Sequence, residues 1–217
     1  MTTVIGMICV DGLVIGSDTK TVGGDIKYSE KKIEAFKLGK SPLIVGEAGT
    51  VRHCRDAIAW MGLDNVKEKL GKDQTFSNFV GELIEYPMPR FVRDYRMKYG
   101  EEPDLEMLIG CIDEIGEPKL LQVYSDAQYE NIEKYAAIGT GSIFGELLLR
   151  KLYDEDITIA QAERLTSYLI WEIQEGFSQT ALPINTRIAR HQSAVAQVAG
   201  SRRPHVGEHT KARLGRA

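Results

Sequence analysis

The sequence predicts an α+β protein, a four-layer αββα sandwich in which two packed sheets each carry a layer of helices outside. Three observations lead there. Short β-branched apolar runs open the chain and return in its middle. Two blocks between and after them have apolar residues at helical spacing. The resulting order of strands, helices, strands, helices is neither the alternation of a doubly wound sheet nor an all-β pattern.

Taken in order, residues 3–10 (TVIGMICV) and 13–17 (LVIGS) predict two strands, and Asp11-Gly12 between them is a tight-hairpin signal. Residues 21–29 are polar and contain Gly23-Gly24, so they read as a loop. Lys32 to Leu38 and Leu43 to Gly46 predict a second strand pair joined by a Gly-Lys-Ser-Pro turn. After Gly49-Thr50 the pattern changes. Val51, Cys54, Ile58 and Met61 mark a helix expected to run to Leu70. Residues 75–99 are also helical in pattern, but Pro87 and Pro89 must break or kink them, because proline lacks the N–H donor and clashes with the preceding turn. Strands are expected again at 106–112, 119–124 and 135–138. The Gly-Thr-Gly-Ser turn at 139–142 opens a helix over 143–153, a second helix runs from about 158 to 177, and 183–188 forms a last strand. Residues 1–186 form a single domain. The stretch 187–217 carries Arg190, Arg202, Arg203, Lys211, Arg213 and Arg216 against the one acid Glu208, and reads as a loosely ordered basic tail.

The chain has 217 residues, enough for one large domain with a sizeable core. Its formal net charge is −4, which gives no reason to expect nucleic acid or an anionic membrane as a partner. Cys9, Cys54 and Cys111 show no metal-ligand spacing, and their odd number suits a reducing compartment, so a cytoplasmic location is expected. No apolar run reaches the length of a membrane span, and the N-terminus lacks a signal-peptide pattern.

The opening MTT bears on chemistry. A threonine hydroxyl needs a base to take its proton, and at a free chain terminus the residue's own α-amine can serve. That amine titrates near pH ~8, well below lysine at ~10.4. A neighbouring lysine ammonium would hold it neutral, a carboxylate would hold the lysine, and a backbone N–H would receive the oxyanion. Thr2, once Met1 is removed, supplies the nucleophile. Asp18 ends the second strand and so returns to the end of the sheet where Thr2 starts. Lys32 opens the third strand, and Gly49 lies where a strand gives way to a helix. Singly, each residue has an ordinary structural reading: a strand-end cap, a solvated lysine beside Lys31, a turn glycine.

The segments TTVIGMICVDGLVIGSDTK, KKIEAF, GEAGTVRHC and AAIGTGSIFGELLLRKLY together resemble the proteasome β-subunits and their bacterial relatives of the HslV (ClpQ) type, which are N-terminal nucleophile hydrolases. The resemblance runs from Thr2 to about Pro183. It implies Thr2 as nucleophile, Asp18 and Lys32 as its acid and lysine with Lys20 beside them, and Gly49 as the oxyanion donor. It further implies Thr140 near the nucleophile amine, where the family has serine. Glu175 and Ser178 fall where the family has an Asp-x-x-Ser pair. Thr21, Glu47 and Val51 fall on substrate-binding positions, with Thr21 near the segment that pairs with the substrate backbone. A carboxylate at Glu47 would favour a basic side chain before the scissile bond, unless Arg52 or Arg55 neutralises it.

The resemblance also implies homo-oligomeric rings that enclose the sites and are fed unfolded protein by an ATP-dependent unfoldase. The helices over 75–99 and 143–153 are candidates for subunit contacts. No cofactor is expected. Two other functions share the same fold: a catalytically inactive ring subunit, and a small-molecule amidase.

Overall fold

The structure, a computed structural model, describes residues 2–23, 26–63, 75–177, 184–190 and 193–200. The first strands form as the apolar alternation requires. β1 (Val4–Cys9) and β2 (Gly12–Asp18) pair antiparallel from Val4↔Ser17 to Cys9↔Gly12. The two-residue turn is therefore Val10-Asp11, one residue earlier than the Asp-Gly signal indicates. Gly12 already belongs to β2. The Asp11 carboxylate instead accepts a hydrogen bond from the Ile159 N–H, at 2.7 Å, and so satisfies a free donor at the start of a distant helix.

Residues 21–29 are a correction to the sequence reading. They contribute to a hairpin, β3 (Lys20–Gly23) with β4 (Ile26–Ser29), rather than to a loop. Gly23 ends β3, and the β-branched Val22 and Ile26 lie within the two strands. β5 (Ile33–Leu38) and β6 (Ser41–Gly49) form the expected second pair, but the turn is only Gly39-Lys40: Ser41 and Pro42, expected in the turn, already pair with β5, and β6 runs on to Gly49. α1 (Val51–Met61) ends early because Gly62 adopts a left-handed φ of 69° and caps it. The predicted continuation over residues 64–70 lies outside the described residues.

α2 (Phe76–Phe79) passes into a π-helical turn over Val80–Glu85. α3 (Pro87–Tyr99) then starts at the proline, where a missing N–H costs nothing. β7 (Leu105–Ile112), β8 (Pro118–Val123) and β10 (Tyr135–Ile138) match expectation. β9 (Tyr129–Ile132) is not visible in the apolar pattern, since only its first and last residues are apolar or aromatic. α4 (Ser142–Leu152) and α5 (Ile159–Phe177) complete the helices. β11 (Ile184–Arg190) crosses the boundary set at residue 186, and β12 (Ser193–Gly200) pairs with it. The stretch read as a basic tail from residue 187 thus begins as sheet. The β-branched residues in its sheet portion, Ile188, Val195 and Val198, are spaced too irregularly to signal this alone. Residues 201–217 lie outside the described residues.

One sheet has the order β10-β1-β2-β11-β12 and the other β5-β6-β7-β8-β9. Strand alternation divides their side chains between three cores. Val4, Leu13, Ile15, Ile44, Ala48 and Leu108 meet between the sheets. Ile5, Met7 and Val14 face α4 and α5, packing on Ile170 and Ile173. Leu43, Val45, Met107 and Ile109 face α1–α3, packing on Met61, Leu83 and Phe91. The inner strands are buried on both faces, which explains their nearly continuous apolar runs. The layers are helix, sheet, sheet, helix, the αββα sandwich that the element order predicts. Each fully buried Leu or Ile contributes roughly 1.5–3 kcal/mol. Among the described residues no helix is long and apolar enough to cross a membrane.

Candidate functional site

The β1–β2 register puts Thr3 opposite Asp18. The Asp18 N–H donates to the Thr3 carbonyl at 3.2 Å. In return the Thr3 N–H donates to Asp18 Oδ1 at 2.7 Å, and the Lys20 N–H donates to Oδ2 at 3.0 Å. Asp18 is buried, and these two backbone donors fix its carboxylate before any side chain joins it. Thr3, the second threonine of the opening pair, therefore has a structural task that the sequence does not announce.

Lys32 reaches the same carboxylate from the start of β5. Its Nζ lies 2.9 Å from Asp18 Oδ2, 2.5 Å from the Lys20 carbonyl and 3.0 Å from Thr2 Oγ1. An ammonium has three donors and here has three acceptors, so its geometry is saturated. Burial pulls the Lys32 amine below its ordinary range, and the Asp18 charge opposes that pull. Lys20 contributes through its carbonyl and N–H.

Thr2 is held from the other side by the turn before α4. Its N–H donates to Thr140 Oγ1 at 3.0 Å, and its carbonyl accepts from the Gly141 N–H at 3.2 Å and from Thr140 Oγ1 at 3.3 Å. Gly139 in that turn has φ +85°, and a Cβ there would lie 2.6 Å from the Thr2 carbonyl oxygen. Only glycine permits this approach.

Gly49 ends β6. The Glu47 N–H donates to the Lys32 carbonyl at 2.9 Å. Two residues on, the Gly49 N–H leaves the strand on that same edge, beyond the start of β5 and on the side of Lys32. Gly49 has φ +111°, and a Cβ there would meet the Asp104 carbonyl oxygen at 2.5 Å. Thr50 fastens the corner: its N–H donates to the Asp104 carbonyl at 2.9 Å and its Oγ1 to the Asp104 carboxylate at 2.9 Å. Val51 is the first residue of α1 and half-buried.

Glu47 is only 7% exposed. One of its carboxylate oxygens, and one of Glu30, lies buried with no hydrogen-bond partner among the described residues. Burial first, and then the charge of Glu34, push the Glu47 carboxyl up to about 7. Arg55 and Lys32 act in the opposite direction, and Arg55 is paired with Glu30.

The structure thus gathers Thr2, Asp18, Lys32 and Thr140 into one hydrogen-bonded group, with Gly49 and Glu47 on the adjoining strand. Thr21 pairs with Tyr28 in the β3–β4 hairpin that follows Asp18. Glu175 is exposed near the end of α5, and among the described residues no hydrogen bond or ion pair joins it to this group. Ser178 lies outside the described residues. Thr3 and the backbone of Lys20 are the contributors that sequence reasoning missed. Backbone donors and acceptors leave no mark in residue type, so only the repeated threonine was available as a signal.

Comparison with known proteins gives a consistent picture. The proteasome subunit family matches residues 1–186. The proteasome subunit beta of Methanosarcina thermophila is 24% identical over 174 residues, covering 74% of this chain and 72% of that protein. The proteasome subunit beta 2 of Pyrococcus abyssi is 26% identical over 165 residues, covering 76% and 74%. Among solved structures, Anbu (ancestral beta-subunit) from Yersinia bercovieri superposes with a TM-score of 0.72 at 17% identity, covering 92% of this chain and 88% of that one. The Anbu complex from Pseudomonas aeruginosa, solved as a helical assembly, gives 0.71 at 17% identity, with the same coverage.

Proposed function

Since the chain belongs to the proteasome subunit family, we propose that it is an N-terminal threonine peptidase that hydrolyses peptide bonds of unfolded proteins inside a homo-oligomeric assembly. The observation that carries this is the Lys32 ammonium, 3.0 Å from Thr2 Oγ1 and 2.9 Å from Asp18. A lysine donating to a hydroxyl oxygen stabilises the developing alkoxide. It also leaves the hydroxyl proton free to go elsewhere.

In this mechanism Met1 is first removed, which turns the Thr2 nitrogen from an amide into an amine. The amine, hydrogen-bonded to Thr140, takes the Oγ1 proton, directly or through a water, as Oγ1 attacks the peptide carbonyl. The Gly49 N–H receives the oxyanion. The protonated amine then gives its proton to the leaving amine, and the peptide C–N bond breaks. Water, deprotonated by the same amine, hydrolyses the threonyl ester. Asp18 keeps Lys32 charged and in place. Substrate backbone adds as a strand beside the segment containing Thr21, and the buried oxygens of Glu47 and Glu30 favour a basic residue before the scissile bond.

Exposed apolar residues on the outer helices, Ile143 and Leu147 on α4 and Trp171 on α5, support subunit contacts. Rings, feeding by an ATP-dependent unfoldase and a cytoplasmic location complete the reading.

Intact-mass spectrometry before and after an N-terminal-threonine-directed epoxyketone tests it. The expected result is loss of Met1 and a single adduct that is absent in Thr2→Ala. Retention of Met1 would leave Thr2 without a base and favour an inactive ring subunit instead. Turnover of small amides by a monomer, with no cleavage of peptides, would favour an amidase.

A further inference from the structure

The two halves of the site come from different sheets. The Thr2 half hangs on β1 and the 139–141 turn, and the Gly49 half ends β6. Reaction requires them to keep a fixed separation, and misplacement by an ångström is expensive. We infer that Glu106 is a positioning residue that, beside the Lys32 bonds, sets one half against the other. This rests on the peptidase reading for its consequence, but not for its geometry.

Three observations meet at Glu106. First, it pairs directly with Ala48 in the β6–β7 ladder, one residue before Gly49. Its backbone therefore holds the peptide that carries the Gly49 N–H. Second, its side chain leaves β7 on the face opposite Leu105 and Met107, toward the first sheet, and Oε2 accepts the Gly139 N–H at 2.8 Å. This bond ties the turn holding Thr2 to β7. Third, Gly139 stands where the halves touch. A Cβ there would lie 2.6 Å from the Thr2 carbonyl oxygen and 3.0 Å from Ala48 Cβ. A half-buried carboxylate at the rim of an apolar inter-sheet core is costly to place. Accepting the N–H of a left-handed glycine offsets that cost, and at the same time fixes the turn from which Thr140 and Gly141 reach Thr2.

Glu106 touches neither substrate nor reacting atoms, so its loss is read through kcat. Glu106→Met keeps the length of the side chain and removes the acceptor. Glu106→Gln keeps an acceptor oxygen. With a fluorogenic peptide, Glu106→Met is expected to lower kcat about tenfold or more with KM within about twofold, and Glu106→Gln to restore kcat to within about threefold. The acid limb of the kcat profile should shift in Glu106→Met, because the Thr2 amine loses its fixed contact with Thr140. Unchanged kcat in Glu106→Met overturns the inference, and so does equal loss in Glu106→Gln or an effect confined to KM. If Glu106→Met does not assemble, Glu106→Ala is measured in its place. Crystal structures of wild type and variant decide the geometry independently of turnover. An unmoved Thr2–Thr140 contact in the variant overturns the pinning. A wild type with no turnover and no epoxyketone adduct overturns the peptidase reading alone.

Discussion

Replacing Glu47 by glutamine tests the electrostatics of the site as a stability measurement. Glu47 is 7% exposed, and its carboxyl is raised from 4.5 to about 7 by burial and by Glu34. A raised carboxyl binds its proton more tightly in the folded state than in the unfolded one. Its contribution is therefore fully present below about pH 4.5 and is lost as pH rises through about 7. The gap corresponds to about 3 kcal/mol, at 1.36 kcal/mol per pKa unit. Wild type should lose that much, relative to Glu47→Gln, between pH 4.5 and pH 8. Glutamine has the same shape without the charge, so the variant should be the more stable of the two at pH 8. Urea unfolding of both proteins at pH 5, 6, 7 and 8 gives the difference directly, and common effects of other carboxylates cancel. A difference that does not change with pH, or a variant less stable than wild type at pH 8, would refute the reasoning. It would mean that the carboxylate has a partner which offsets its burial. The same titration predicts that preference for a basic side chain strengthens above pH 7, where Glu47 is charged.

Thr2→Ala should abolish peptide hydrolysis and leave fold and assembly intact, read by turnover and size-exclusion chromatography. Lys32→Met breaks a buried pair and strands Asp18 with backbone donors alone; it should cost about 3 kcal/mol in chemical denaturation and remove activity. Gly49→Ala forces a Cβ to 2.5 Å from the Asp104 carbonyl oxygen at φ +111°. It should lower stability by about 2 kcal/mol, and kcat by more than KM changes, as steady-state kinetics would show. Thr140→Ser retains the hydroxyl at Thr2 and should keep most activity, whereas Thr140→Val should lose at least about tenfold in kcat.

Residue type and spacing were enough to reveal the four layers and the β1–β2 pair; the resemblance to the proteasome β-subunits was needed beside them to single out Thr2, Asp18 and Lys32, which the structure joins by hydrogen bonds. The reason is physical: two-sided burial writes long apolar runs, and a strand that returns after a short hairpin must end where its partner began. Punctuation was misread where turn residues fell inside paired strands, as in the β3–β4 hairpin. It was misread again where sheet continued into a basic stretch with no clear period, as at β11 and β12. Tertiary structure alone decided how Lys32 divides its three donors, that Thr3 and the Lys20 backbone fix Asp18, and that Glu106 links the Gly139 turn to the strand bearing Gly49. Most of those contacts run through a backbone N–H or C=O, groups that residue type does not reveal, and all but the Lys20–Asp18 contact join residues well separated in the chain. A sequence can name the side chains of such a site, but the distances between them exist only once both sheets have packed.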